Sequence, residues 1–246
     1  LLGLFGAGLV VTHNLVALMA LPFVAIFFLF LLFEIKNKKE FFLSVLLGGT
    51  SAILISAYFW LPAILENKYT MVNLLTNQLA SYGLHFVSLS QFVNSAWGYG
   101  GSILGPYDGF SLEVGKIHLI LVAVALAVFL FDYLKHKRKH VILLFFFLMF
   151  ILSIFLQSYY SKFIWDSLPA LSYIQFPWRF MLFSVFSASF IGGYLFIFKF
   201  DQKVKFVLAA GLILVSLLFY GPLFRPSEYL SDAKDKNYIS KDVLRW

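Results

Sequence analysis

The stretch LVALMALPFVAIFFLFLLF, Leu15 to Phe33, decides the fold. It carries no charge and no hydroxyl, and a helix needs about 20 such apolar residues to cross the hydrocarbon core of a bilayer. Stretches of similar character follow at Phe41 to Leu61, Ile117 to Leu134, Val141 to Leu156, Phe180 to Phe198 and Phe206 to Phe224. Val141 to Leu156 is short, and Gln157 to Tyr160 extends it into the interface as an aromatic belt. Leu1 to Val11 reads as the tail of an earlier span, and with Leu1 in place of Met the chain reads as an excerpt. These runs are continuously apolar rather than alternating, which disfavours a transmembrane β-barrel. The expected fold class is all-α: a polytopic transmembrane helix bundle over 1–224, with about six spans plus the end of an earlier one. Residues 67–116 are expected to form an external loop holding interfacial helices and a Gly-rich segment, and 225–246 to begin a non-cytoplasmic C-terminal region.

Composition agrees. The chain is 61% hydrophobic, 20% aromatic and only 13% charged, with a mean hydropathy of +0.87, far outside the soluble range. There is no cysteine, which excludes thiolate metal sites, cysteine nucleophiles and disulfides within it. The net charge of +7 is concentrated in short connections: Lys36, Lys38 and Lys39; Lys135, Lys137, Arg138 and Lys139; Lys199, Lys203 and Lys205. They fall after every second span, so they share one side, which the positive-inside rule makes cytoplasmic. The charge is thus an orientation signal, and no nucleic acid is expected as a partner. His136 and His140 flank this cationic turn, where neighbouring cations oppose metal binding, and read as solvated. No metal site is expected.

The opposite face collects the chemically interesting motifs. Met71 to Phe92 is too polar to span, and Met71, Leu74, Leu75, Leu79 and Tyr82 recur at near-helical spacing, as in a helix lying in the interface. His85 within it reads as a polar interface residue. Trp97-Gly98-Tyr99-Gly100-Gly101-Ser102, Gly105-Pro106-Tyr107-Asp108-Gly109-Phe110 and Gly115 form a glycine-dense loop. Its aromatic residues suit stacking on a sugar-like ligand, with a compact loop packed on the bundle as the equal alternative. Gln175-Phe176-Pro177-Trp178-Arg179-Phe180 opens a span, with Pro177 in the first turn and Trp178 at the headgroup level. Arg179 sets a permanent cation against the helix dipole on the side where basic residues are disfavoured, an arrangement that suits a bound phosphate. The alternative is an ion pair with Glu66 or Asp166, or a snorkelling anchor. Asp166 reads as a helix cap, as do Thr12 or Asn14, which leaves His13 unexplained.

Thr12-His13-Asn14, Phe59-Trp60-Leu61-Pro62, Trp97-Gly98-Tyr99-Gly100 with Gly105, Asp108-Gly109 and Gly115, and Gln175 to Phe180 together resemble bacterial membrane proteins labelled "6-pyruvoyl-tetrahydropterin synthase-related". The label is not chemistry, because the chain has no histidine cluster of the kind a soluble pterin synthase uses. These proteins look like relatives of the GT-C glycosyltransferases and the YfhO-type transferases. The resemblance implies a multi-pass protein of the bacterial cytoplasmic membrane that takes sugar from a polyprenyl-phosphate donor at the outer surface, with membrane lipid and a lipid-phosphate-linked sugar as partners. It puts the catalytic carboxylate in a first external loop upstream of Leu1. Glu66 and Asp108 are this chain's own candidates for a base, and His13, Asn14, Trp97, Tyr99, Asp108, Trp178 and Arg179 its candidate substrate-binding residues. A cofactor is not implied. The competing classes are a transporter or lipid flippase, for which Pro22, Gly48-Gly49, Gly192-Gly193 and Gly211 are the weak signs, and a non-catalytic partner in envelope polysaccharide assembly.

Two expectations about placement follow. His13, Glu66, Asp108 and Arg179 should converge on one cleft, and Lys36, Lys137, Arg138 and Lys203 should lie on the opposite face. Because the chain lacks cysteine, a single cysteine at each of those four basic positions reports individually. A membrane-impermeant maleimide applied to intact cells is expected to miss all four, and labelling of any one overturns the orientation.

Overall fold

The computed structural model describes residues 1–71, 81–137, 140–197 and 201–229. The described residues are all-helical, and among them four helices are long and apolar enough to cross a membrane, or five when a bent pair is taken as one span. It divides into two units, Leu1–Phe200 and Asp201–Trp246.

The first unit begins with α1 (Leu2–Thr12), α2 (Asn14–Glu34) and α3 (Lys38–Ile55). α1 lies against α3 through small residues. A Cβ added at Gly3 would fall 2.6 Å from the Ser51 Cβ, and one at Gly48 would fall 2.5 Å from the Leu2 side chain. This is the close backbone approach that small residues permit where lipid offers no hydrophobic drive, and it accounts for Gly48 without a functional break. Between α1 and α2, His13 itself is the cap. Its extended backbone ends one helix, and its Nδ1 accepts from Val16 N at 3.3 Å. The expected caps are otherwise engaged: the Thr12 hydroxyl bonds back to the Gly8 carbonyl, and Asn14 Oδ1 accepts from Leu15 N.

The expected span from Phe41 to Leu61 is broken. α3 gives way at Ser56 to α4 (Ala57–Glu66), and the pair bends by 63°. Ser56 Oγ donates to the Ala52 carbonyl at 2.7 Å and Trp60 Nε1 to the Ile53 carbonyl at 3.0 Å, so the carbonyls freed by the bend find local partners.

α5 (Lys116–His136), α6 (Val141–Gln157), the short α7 (Lys162–Ser167) and α8 (Met181–Tyr194) complete the unit. α8 continues from a tight turn over Pro177–Phe180 into another over Leu195–Ile197, and the whole runs Pro177–Ile197 as one candidate span. Val141–Gln157 is one of the shorter apolar helices. The core lies between α2, α6 and α8, where Phe23 stacks on Phe183 at 4.7 Å, Phe27 meets Phe145 at 4.8 Å and Phe146 stacks on Phe190 at 3.6 Å. These pairs run α2 antiparallel to α6, so the starts of α2 and α8 share an end of the bundle, while Lys36 and Lys137 share the other. Arg138 lies outside the described residues.

Buried polar side chains join α6 to α8. Ser153 and Ser184 share a hydrogen bond at 2.8 Å, and Gln157 Nε2 donates to Ser184 Oγ and to the Ser153 carbonyl, both at 2.9 Å. At the Lys137 end, His140 departs from the solvated reading. It is half-buried, bonds Asp132 at 2.7 Å and also meets the Tyr194 hydroxyl, because a carboxylate enclosed in α5 requires a donor. His136 is exposed, as expected.

The second unit, taken by itself, holds α9 (Gln202–Tyr220), capped by Asp201 Oδ1 accepting from Lys203 N at 2.8 Å. Gln202–Leu223 is a candidate span. Most of 225–246 lies outside the described residues.

Ser184→Ala strips a donor and acceptor from the α6–α8 network, whereas the space around Gly193 is open. Ser184→Ala is expected to cost about 1 kcal/mol, and Gly193→Ala to change stability by less than about 0.5 kcal/mol. Thermal unfolding of the purified variants in detergent measures both.

Candidate functional site

At the end of the first unit where α8 begins, the chain between Ser81 and Gly115 folds over the helix ends. Residues 72–80 of the expected interfacial helix lie outside the described residues. The remainder is not helical: Tyr82–Leu84 is a tight turn, and Val87 N donates to the Gln157 carbonyl at 2.9 Å in an isolated parallel bridge between Val87 and Ser158. The end of α6 leaves that carbonyl without an intrahelical donor, and Val87 supplies one.

The glycine-dense loop is built around a backbone crossing. Gly100 N donates to the Gly109 carbonyl at 2.8 Å, and Gly109 N to the Gly101 carbonyl at 2.9 Å. A Cβ at Gly98 would fall 2.4 Å from the Gly109 oxygen, and one at Gly109 2.6 Å from the Gly100 Cα. The glycines therefore serve close approach of chain to chain. Phe92, Leu112 and Val114 are buried beneath the loop, with Phe110 and Trp178 packed against them. The loop thus packs compactly on the bundle while leaving Trp97 and Tyr99, in edge contact with each other, more than half exposed.

Asp108 is an organiser of this loop. Its carboxylate accepts from Gln91 Nε2 at 2.7 Å and from Ile103 N at 3.0 Å, and Gln91 accepts in turn from Ser88 N at 2.9 Å. Glu113, the other carboxylate of the loop, accepts from Ser95 N and lies 3.7 Å from Lys116.

His85 stands at the centre. It is 8% exposed, its Nδ1 lies 2.9 Å from Ser102 Oγ, and its ring meets Phe176 edge-on at 4.7 Å. Burial pushes the His85 pKa down, and the charge of Asp108 opposes the shift without cancelling it, so the imidazole is neutral at neutral pH. Phe176 also carries Arg179, whose guanidinium carbon sits 4.9 Å from the ring centroid.

Arg179 has a structural partner of its own. Gln175 has φ +65°, and the Ile174 carbonyl accepts from Phe176 N at 2.7 Å, which makes a tight turn of a rarely populated kind. Arg179 Nη1 donates to the same carbonyl at 2.7 Å. Among the described residues no carboxylate forms an ion pair with Arg179. Asp166, one of the two expected partners, instead takes Lys162 Nζ at 2.6 Å and the Tyr82 hydroxyl at 2.8 Å, and these bonds hold its carboxyl below the usual carboxylate range. It sits inside α7 and is not a cap. Glu66, the other, is exposed at the end of α4. Trp178 is half-buried between Phe110 and Phe176, and its indole N–H has no acceptor among the described residues.

Trp178 and Arg179 thus meet at Phe176, and the charge of Asp108 reaches His85, whose ring touches Phe176 as well. His13, Asn14 and Glu66 make no hydrogen bond or ion pair with them. His85, Gln91 and Ser102 enter the site without having been singled out for it. Their partners lie far along the chain, and no local pattern announces such a pairing.

Within the bundle a crevice of about 470 Å³ lies between α2, α6 and α8, lined only by apolar side chains, among them Val16, Phe23, Phe146, Leu182, Phe183 and Phe186. Leu182, Phe183 and Phe186 follow Arg179 at the spacing that keeps side chains near one helix face. Comparison of the chain with known protein families, with curated proteins and with solved structures gives no match.

The depressed pKa of His85 links the fold to pH. The unfolded imidazole takes up a proton near its ordinary value of 6.5 while the folded one does not. Stability is therefore full above 6.5 and declines as pH falls from there toward the folded pKa. The thermal midpoint of wild type is expected to drop across that window, and that of His85→Gln to lack this component.

Proposed function

We propose that the protein is a GT-C-like glycosyltransferase that takes sugar from a polyprenyl-phosphate donor at the non-cytoplasmic surface of the bacterial cytoplasmic membrane. The observation that carries this reading is Arg179 without a carboxylate partner among the described residues, followed along the same helix by Leu182, Phe183 and Phe186, which line a wholly apolar crevice. A charged headgroup on an apolar chain matches that pairing. The guanidinium and the enclosed indole N–H of Trp178 are donors for phosphate oxygens, and the crevice accepts the isoprenoid chain.

In the reaction, an acceptor hydroxyl oxygen bonds to the anomeric carbon as the bond from that carbon to the phosphate oxygen breaks. The electron pair leaves with the lipid phosphate, where Arg179 stabilises it. The hydroxyl proton needs an acceptor. Within this chain neutral His85 is suited to take it on Nε2 while Nδ1 is engaged with Ser102, and the negative charge of Asp108 favours the imidazolium that results. Asp108, tied by Gln91 and the Ile103 amide, acts as a positioning residue in this scheme.

One feature favours a lipid flippase instead, namely the 63° break at Ser56. In that case Arg179 would bind lipid phosphate but no sugar would move.

The test compares wild type, Arg179→Lys and Arg179→Ala of the full-length protein at matched expression, with a polyprenyl-phosphate sugar as donor. Loss of a charge-assisted hydrogen bond costs about 1.5–3 kcal/mol, so both variants are expected to fall roughly tenfold to a hundredfold in transfer, with lysine unable to replace the planar fork. A lowered thermal midpoint with undiminished transfer would assign Arg179 to the turn at Gln175 alone. Lipid translocation without transfer would establish the flippase.

A further inference from the structure

A second cavity, of about 420 Å³, lies beside the segment that follows His85. Its walls include Phe86 and Ser88 from that segment, Leu104 and Gly105 from the glycine-dense loop, and Tyr159 and Tyr160 from the end of α6. The volume falls in the range of small-ligand sites, about 300–1,000 Å³. Tyr159 and Tyr160 are 63% and 69% exposed, so their ring faces are open to a ligand, and Tyr159 is braced edge-to-face by Phe86 at 5.7 Å. Among the described lining residues there is no carboxylate, no amine, no guanidinium and no imidazole. What remains is aromatic faces and hydroxyls.

We infer that this cavity binds a neutral carbohydrate. A pyranose ring has a face of C–H groups and a rim of hydroxyls, so it matches tyrosine faces beside the hydroxyls of Ser88, Tyr159 and Tyr160. A phosphorylated or carboxylated ligand finds no counter-charge among these walls, and an acyl chain would strip the hydroxyls of water without replacing their hydrogen bonds. The cavity is also preorganised. The Val87 N–H bond to the Gln157 carbonyl fixes one wall, and Ser88 N is held by Gln91, whose other end binds Asp108. Through Gln91 the carbohydrate site is mechanically joined to the loop that holds His85 and Ser102. A carbohydrate seated here is a candidate acceptor for the proposed transfer. The binding itself does not depend on that reaction.

The experiment measures binding, not activity. The full-length protein in nanodiscs is titrated with maltotriose, cellotriose and chitotriose, and with trigalacturonic acid as the charged control, following saturation-transfer NMR. At least one neutral trisaccharide is expected to bind saturably, with the acid weaker than it. Tyr160→Ala is expected to weaken binding roughly tenfold, the loss of one stacking aromatic. Leu104→Trp, at an exposed position on the rim, fills the cavity without disturbing the core and is expected to abolish binding, while Arg179→Ala leaves it intact. Absence of binding by all three neutral sugars, preference for the acid, or binding that survives both Tyr160→Ala and Leu104→Trp overturns the assignment. Loss of transfer in Arg179→Ala with sugar binding retained separates this site from the proposed reaction.

Discussion

Hydrocarbon offers no partner to a peptide N–H or C=O, and among the described residues of the first unit three departures from helix are met by substitute hydrogen bonds. The bend at Ser56 is answered by the Ser56 hydroxyl and the Trp60 indole. Where α6 ends, the Leu156 carbonyl takes the Trp165 indole at 3.0 Å and the Ser161 hydroxyl at 3.1 Å, and the Gln157 carbonyl takes Val87 N. Before α8, the Ile174 carbonyl accepts twice. Backbone N–H groups of Val87 and Phe176 supply two of these substitutes, and the rest come from side chains that read as belt aromatics or incidental polar residues.

Arg179 illustrates the economy of such an arrangement. The dipole of the following helix disfavours a cation at its start, yet the Ile174 carbonyl and the Phe176 face hold it there. Neither contact neutralises the charge. A carbonyl and an aromatic face orient a guanidinium while leaving further N–H donors for an anion, which is the condition a lipid phosphate requires. At the opposite end the problem is solved the other way. Asp132 is enclosed and receives His140, and Tyr194 completes the cluster, so that charge is satisfied internally. The contrast is between a charge met by its own neighbours and one that is not.

The glycine crossing explains why the loop can carry a site at all. Loops present functional groups well only when a rigid scaffold positions them. Here two backbone hydrogen bonds between Gly100, Gly101 and Gly109, with the buried Phe92, Leu112 and Val114 below, make the loop part of the scaffold. Asp108 and Ser102 flank that crossing, so their separation from His85 is set by backbone contact.

The sequence by itself determined the helical class and the apolar runs, because each depends on composition or on spacing along one helix. It misled at Ser56, where an unbroken apolar run conceals a bend, since apolarity reports on burial in lipid and not on backbone direction. It also misled at His13, His140 and Asp166, whose roles turn on which neighbour offers a donor or acceptor. Only the tertiary structure decided that His85 joins Ser102 and Phe176, that Gln91 links Ser88 to Asp108, and that Arg179 meets the Ile174 carbonyl and the Phe176 ring. Those pairings join distant segments of the chain, and hydrogen bonding and packing at such separations depend on how helix ends meet in space, a quantity that no local pattern encodes.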